Sequence, residues 1–315
     1  MGEWIDQGQG PMVQVVMGIH NGAPFLPEQL KSLAAQRGVR WQLTCSDDNS
    51  VDNSREVLHA FGRRHPGRVQ ICAGPGRGFA ANYLTLLAGL PKDDIPVALA
   101  DQDDVWLPGK LGRALRALER VPPGVPALYT AQRWVWTPTL GITKAERRRI
   151  AAPAFRNALI ENIAPGNTIV LNAAAASLAR QAAPLATGIF AHDWWLYQLI
   201  TGAGGQVICD PARVVLYRQH PRNAIGAGQG AFISMTRKLA VLRGVYRARL
   251  TAQTAGLAAC RPFLCPSSLA DLERFSAARS QHTLGRLRAM AALRPYRQSP
   301  WSSAAFWGAI TLGKA

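Results

Sequence analysis

A chain of 315 residues with 48% hydrophobic and 17% charged residues has room for one large α/β domain or two smaller ones, and its composition excludes wholesale disorder. Its formal net charge is +17, and residues 231–315 hold 13 Lys and Arg against two acids, so the basic excess belongs mainly to the C-terminal third. Such a surface prefers polyanions: nucleic acid, anionic lipid or a phosphorylated substrate.

Residues 12–18 (MVQVVMG) read as a strand ending in the turn signal His20-Asn21-Gly22. Residues 25–36 follow with helical spacing and Pro27 in the first turn. Residues 41–45 form a second strand ending in SDDNSVD, which can cap a helix over 54–64. A third strand (68–73), a third helix (79–90) and a fourth strand (96–100) continue the alternation. This is the pattern of βαβ units around a mostly parallel, doubly covered sheet. A helix at 109–120 and a Pro-rich turn come next. After it, residues 127–136 predict a strand pair or one long strand, 168–171 a strand, 191–197 the start of a helix, and 206–209 with 214–217 two short strands.

The fourth strand runs straight into Asp101-Gln102-Asp103-Asp104. Three acids within four residues repel one another, and folding does not require them. They suit either a divalent cation holding a diphosphate or an acidic turn capping the next helix. In a parallel sheet Asp47, Asp48 and this packet open on the same edge, where such sheets bind ligands. The Gly-Pro-Gly-Arg-Gly turn at 74–78 lacks the P-loop pattern and reads equally as a flexible connection.

The five cysteines (Cys45, Cys72, Cys209, Cys260, Cys265) are scattered without a CxxC pair, which points to a reducing compartment. No charged-then-apolar leader opens the chain, and no apolar run reaches the roughly 18–20 residues of a membrane helix, so a cytoplasmic location is expected. In residues 232–252, Met235, Leu239, Leu242, Tyr246 and Leu250 recur at spacings of three and four among arginines. That is a basic amphipathic pattern suited to an anionic membrane or to packing with its arginines in solvent. Residues 301–312 (WSSAAFWGAITL) are apolar, aromatic and too short to span a bilayer, which makes them an interfacial or docking helix.

Taken in order, VQVVMG with HNG, SDDNS, ADQDDVWLP, HDWW and YRQH resemble glycosyltransferase family 2, enzymes of the GT-A fold that use nucleotide-sugars. The likeness runs over about residues 12–225. The segments RGFAANY, GNT at 166–168 and YRQHPRNAIG are similar to the bacterial rhamnosyltransferase-type members, which build lipopolysaccharide or other surface glycans. The resemblance implies an α/β, Rossmann-like GT-A catalytic domain over 1–228, followed by a helical basic region over 229–315.

It also implies roles. Asp103 would hold Mg²⁺ or Mn²⁺, with His220 as a second ligand, and Asp101 would face the ribose or support the metal. Asp48 would contact the base, with Asp47 supporting it, while His20, Asn21, Arg77, Asn82 and Arg218 would line the donor. Asp193 would be the general base that deprotonates an acceptor hydroxyl. Trp194, Trp195, Gly166 and Asn167 would bind the acceptor, a Trp face being a common sugar platform. The glycine-bearing segment after Arg222 would close over the nucleotide as a lid.

The expected activity is inverting, metal-dependent transfer of a sugar, rhamnose from dTDP-L-rhamnose first and UDP- or GDP-sugars as alternatives. The acceptor would be a glycan or lipid-linked precursor such as that of lipopolysaccharide or O-antigen, at the cytoplasmic face of the inner membrane. A nucleotidyltransferase would need a Gly-rich, Arg/Lys-bearing loop after the first strand, which His20-Asn21-Gly22 is not. No stacking-aromatic or zinc signature accompanies the charge, so no nucleic-acid partner is expected.

Overall fold

The computed structural model describes residues 10–146, 151–220 and 244–315. The boundary expected at 228/229, the lid after Arg222 and the first half of the amphipathic pattern at 232–252 lie outside the described residues.

The first half alternates as the apolar spacing requires: β1 (Met12–Ile19), α1 (Leu26–Ala34), β2 (Arg40–Asp47), α2 (Ser54–Arg64), β3 (Val69–Ala73), α3 (Phe79–Ala88), β4 (Val97–Asp101), β5 (Val105–Trp106) and α4 (Lys110–Leu118). Then come β6 (Ala127–Thr137), β7 (Ile142–Ala145), α5 (Phe155–Ala158), a 3₁₀ turn (Gly166–Thr168), β8 (Val170–Leu171), α6 (Ala173–Ala182), α7 (His192–Gly202) and β9 (Gln206–Arg218). The C-terminal region is helical: α8 (Val245–Ala259), α9 (Pro266–Ser280), α10 (Thr283–Leu293) and α11 (Pro300–Thr311).

The strands form one sheet in the order β3-β2-β1-β4-β8-β6-β9-β5, with β7 beside β6. The β3-β2-β1-β4 half is parallel, β8 runs antiparallel between β4 and β6, and β6 and β9 are parallel to each other. Alternation along β1 sends Val13, Val15, Met17 and Ile19 into one apolar layer and Val16 into the other. Helices therefore cover both faces, the condition under which a parallel sheet is stable.

One expectation changes here, and one of two alternatives is selected. Residues 206–218 are one long strand rather than two short ones. The register against β6 slips between Ala131 and Arg133, opposite Pro211 and Ala212. A proline cannot donate to the ladder, and the irregularity absorbs it. Residues 127–137 are likewise one long strand.

Helices α8–α11 do not stand apart. Leu250, Leu257, Leu272, Phe275, Met290, Phe306 and Ile310 share a third apolar cluster with Phe155, Leu159, Ile160 and Trp194. Polar links cross the same seam: Arg156 to Asp271 (2.7 Å), the Tyr246 hydroxyl to the Ile160 carbonyl (2.7 Å), and Arg297 to Glu161 (3.3 Å).

The acceptor role expected for Trp194 and Trp195 gives way to a structural one. Trp195 is fully buried in the layer between α7 and the sheet. Trp194 is 6% exposed and donates its indole N–H to the Ala158 carbonyl at 2.6 Å. Helix α7 is packed on nearly all sides, so neither ring offers a face to a sugar. Trp195→Ala is accordingly expected to cost about 3–5 kcal/mol in urea unfolding, with Trp195→Phe losing clearly less.

Candidate active site

Strands β1, β2 and β4 end side by side, with Gly18 opposite both Ser46 and Asp101. Their C-terminal ends deliver His20, Asp47, Asp48 and the acidic packet to one edge, as the alternation predicts. The lip is stapled by a residue that sequence reasoning passed over. Gln102 accepts from the His20 N–H and donates to the His20 carbonyl, both at 2.9 Å. A Cβ at Gly22 would sit 2.3 Å from the Gln102 amide oxygen, so a larger residue there displaces the amide that staples the lip.

Asp48 is buried, and its two oxygens accept from the N–H groups of Gly76 (2.6 Å) and Gly78 (2.9 Å). Both glycines have positive φ, which lets the 74–78 turn wrap around the carboxylate. Asp48 therefore shapes the turn, and each of its oxygens keeps a further lone pair. Asp47 accepts from the Ser50 N–H (3.1 Å) and lies 3.7 Å from Arg55. Asn82, buried, donates to the Ser46 carbonyl at 2.9 Å and fastens α3 beneath the strand ends. Arg77 is exposed on the turn. At the lip, His20 Nδ1 is 2.8 Å from the Asp48 carbonyl, and Asn21 accepts from the Val51 N–H at 2.9 Å.

In the packet, Asp103 Oδ2 lies 2.8 Å from His220 Nε2, and the imidazole stacks on Phe25 at 4.3 Å. The two groups expected to hold a metal are thus brought together from loops 117 residues apart in sequence. Asp101 is backed by Tyr83, whose hydroxyl lies 2.5 Å from the Ala100 carbonyl and 3.1 Å from Asp101 Oδ1. Burial, then the charge of Asp103, pushes the Asp101 carboxyl up to about 7, with Asp193 adding to the effect.

Asp104 is fully buried. It accepts from Asn167 Nδ2 (2.5 Å) and from the Arg218 backbone N–H (3.2 Å), and burial pushes its carboxyl well above the usual range. Asn167 therefore braces Asp104; it does not face an acceptor. Beneath them Lys110 is fully buried, its Nζ 3.5 Å above the Trp106 ring, and burial pushes it down to about 7 against the opposing pull of Asp104 and Asp101. Arg218, expected on the donor, is 7% exposed and committed elsewhere. Its guanidinium pairs with Glu28, donates to the Asp103 carbonyl (2.8 Å) and stacks on Trp136 (4.3 Å).

Across the cleft, Asp193 lies in the first turn of α7, the favourable end of the helix dipole for an anion. Its carboxylate accepts from the Gly166 N–H (3.2 Å) and the Trp194 N–H (2.7 Å). Gln253 of α8 holds the start of α7, accepting from the Phe190 and Ala191 N–H groups (3.2 Å each) and donating to the Ala191 carbonyl (3.0 Å). No sequence motif marks it. His192 is 5% exposed and stacks on Tyr83 at 3.7 Å, with neither ring nitrogen hydrogen-bonded. Burial pushes it down to about 4.

Among the described residues no group of three or more His, Cys, Asp and Glu gathers as a metal cage. The donor set still suits Mg²⁺ or Mn²⁺, which take one or two carboxylates and complete their shell with water and substrate phosphates. Burial first, and the charge of Asp103 second, disfavour the ionised form of Asp101, and a cation beside it would offset both.

Strand ends that gather acids on one edge of a mostly parallel sheet, with Asp193 near Asp101, are the arrangement of a GT-A fold. Solved structures agree on the fold. The mannosyltransferase PcManGT from Pyrobaculum calidifontis, solved with GDP-Man and Mn²⁺, matches with a TM-score of 0.52 and 18% identity over 98% of this chain and 87% of its own. TarS of S. aureus, solved with UDP-GlcNAc, matches with a TM-score of 0.51 and 11% identity over 90% of this chain and 80% of its own. Residues 14–174 match the model of glycosyl transferase family 2, and the chain belongs to that family. The dTDP-rhamnosyl transferase RfbG of Shigella flexneri is 24% identical over 247 residues, 75% of this chain and 82% of the relative.

Two outcomes test this geometry. Asp104→Asn turns an N–H₂ group toward one of two donors in a buried site. It should lower stability by about 1–3 kcal/mol in urea unfolding and reduce turnover; an unchanged midpoint would show that the knot carries no load. His192 binds its proton less readily folded than unfolded, so the native state loses stability as pH falls from about 6.5 toward about 4. The slope is at most about 1.4 kcal/mol per pH unit. His192→Phe should remove that part of the acid sensitivity when urea midpoints at pH 7 and pH 5 are compared.

Proposed function

We propose that this glycosyltransferase transfers a sugar with inversion, using dTDP-L-rhamnose as donor and a hydroxyl of a lipid-borne surface glycan, such as a lipopolysaccharide precursor, as acceptor. The observation that carries the reading is the pairing of Asp103 with His220 on the diphosphate side while Asp193 stands at the head of α7 on the other. The likeness to a dTDP-rhamnosyl transferase supports the choice of donor. A cytoplasmic enzyme working at the inner membrane fits the nature of that acceptor.

Asp193 takes the proton of the acceptor hydroxyl. The oxygen attacks the anomeric carbon from the side opposite the diphosphate, and the bond from that carbon to the diphosphate oxygen breaks. Gly166 and Trp194 hold the Asp193 carboxylate by their N–H groups, so its orientation is set before substrate arrives. Asp103 and His220 would hold a divalent cation, which would supply positive charge for the diphosphate that leaves. Asp101, steadied by Tyr83, faces the same side.

The test is nucleoside diphosphate release from dTDP-L-rhamnose, UDP- and GDP-sugars with Mg²⁺, Mn²⁺ or chelator. Release from dTDP-L-rhamnose that chelator abolishes is expected, and turnover with UDP- or GDP-sugars alone would overturn the donor assignment. Asp193→Asn should lower kcat by about 10²–10⁴-fold with little change in donor KM. Asp103→Ala should abolish the metal-dependent turnover while the unfolding midpoint stays near that of the unaltered chain.

A further inference from the structure

Helix α11 (PWSSAAFWGAIT) carries no charged side chain. Phe306, Ala309 and Ile310 bury its inner side in the cluster shared with α8–α10. Trp301, Ala304, Ala305, Gly308 and Leu312, on the other side, are exposed. Their spacing lines them up as one stripe along the helix. Trp301 is 87% exposed, Leu312 61%, and Leu284 on neighbouring α10 68%.

Cations frame this stripe. Arg286 reaches the Ile310 carbonyl (2.9 Å) and Arg247 the Gly313 carbonyl (3.2 Å), so both stand at its C-terminal end. Arg288 and Arg294 are exposed on and just after α10. Residues 244–315 hold ten Lys and Arg against two acids, and one of those acids, Asp271, is paired with Arg156.

A helix face turned to water ordinarily carries charge. An uncharged face ending in an exposed Trp and framed by arginines matches a surface with apolar depth and anionic headgroups. The helix spans 12 residues, about 18 Å, short of the ~30 Å hydrocarbon core. No helix among the described residues is long and apolar enough to cross a membrane. The fitting geometry is a helix lying in the plane of the interface.

We propose that the α10–α11 face is a docking surface for an anionic lipid bilayer, with Trp301, Leu312 and Leu284 entering the headgroup boundary. This deepens the reading of a lipid-borne acceptor and rests on it for its purpose, though not for its geometry. Docking here uses surface opposite to that packed on α5 and α7, so the catalytic part of the chain is carried on the helices that touch lipid.

Sedimentation of the full chain with phosphatidylglycerol–phosphatidylcholine vesicles, against phosphatidylcholine alone, tests the proposal. Partition into the anionic vesicles that weakens with salt is expected. The double variant Trp301→Ser/Leu312→Ser should lower it at least tenfold while leaving the melting temperature and nucleoside diphosphate release on a water-soluble acceptor unchanged. Absence of partition, or equal partition by the variant, overturns the proposal. So does a dimer in size-exclusion chromatography that the variant converts to monomer, since the occupant is then a second copy. Normal turnover without vesicle binding defeats this inference alone, whereas vesicle binding without any turnover defeats the functional reading instead.

Discussion

The site hangs on one buried carboxylate. Asp104 has no exposure to solvent, yet it joins three segments distant in sequence: the acidic loop after β4, the 3₁₀ turn through Asn167, and the end of β9 through the Arg218 N–H. Its neighbour in sequence, Asp103, faces His220, which lies two residues beyond Arg218. The same 3₁₀ turn offers the Gly166 N–H to Asp193. One knot thus ties the loop that carries Asp103 to the turn that holds Asp193. A buried group with this role must be fully satisfied, because any partner left unpaired costs about as much as the bond contributes or more.

Placing Asp101, Asp103 and Asp104 together also creates an electrostatic problem, and the fold meets it from beneath. Lys110 lies buried over Trp106, near enough that Asp104 and Asp101 favour its charged form against burial. Arg218 is drawn into the same region and locked by Glu28 and Trp136. These cations are fixed in protein, so they moderate the repulsion without filling the cleft. Burial and the neighbouring charges still hold the carboxyls of Asp101 and Asp104 above the usual carboxylate range.

Much of this was legible in the sequence. A continuous apolar run ending in acids marked β4, because a strand buried on both faces is apolar along its length, and the alternation of Trp41, Leu43 and Cys45 before Asp47 marked β2. The motif order singled out Asp103, His220 and Asp193, of which the first two meet at 2.8 Å. What escaped was direction. Nothing in HDWW says that both indoles turn inward, since a helix start with two tryptophans reads alike whether it faces a core or a cleft. Nothing in SDDNS says that Asp48 points at backbone N–H groups 28 and 30 residues away, and nothing in YRQH says that Arg218 pairs with Glu28. Such partners are set by tertiary approach, which local pattern does not encode. Gln253 and Lys110 were invisible for the same reason: one lies in a basic helix with no motif, and the other looked like any surface lysine.

Gln253 has a further meaning for where this enzyme ends. It grips Phe190 and Ala191, the residues that lead into α7, from α8, across a seam made of apolar side chains and ion pairs. The segment matched by the family model stops at residue 174, before the helix that carries Asp193 begins. A fragment cut to that segment would keep the strand ends and the acidic packet but neither the facing carboxylate nor the latch that aims it. The C-terminal helices are therefore part of the aiming apparatus as well as a basic surface. A substitution in those helices can therefore shift Asp193 while the strand ends stay as they are.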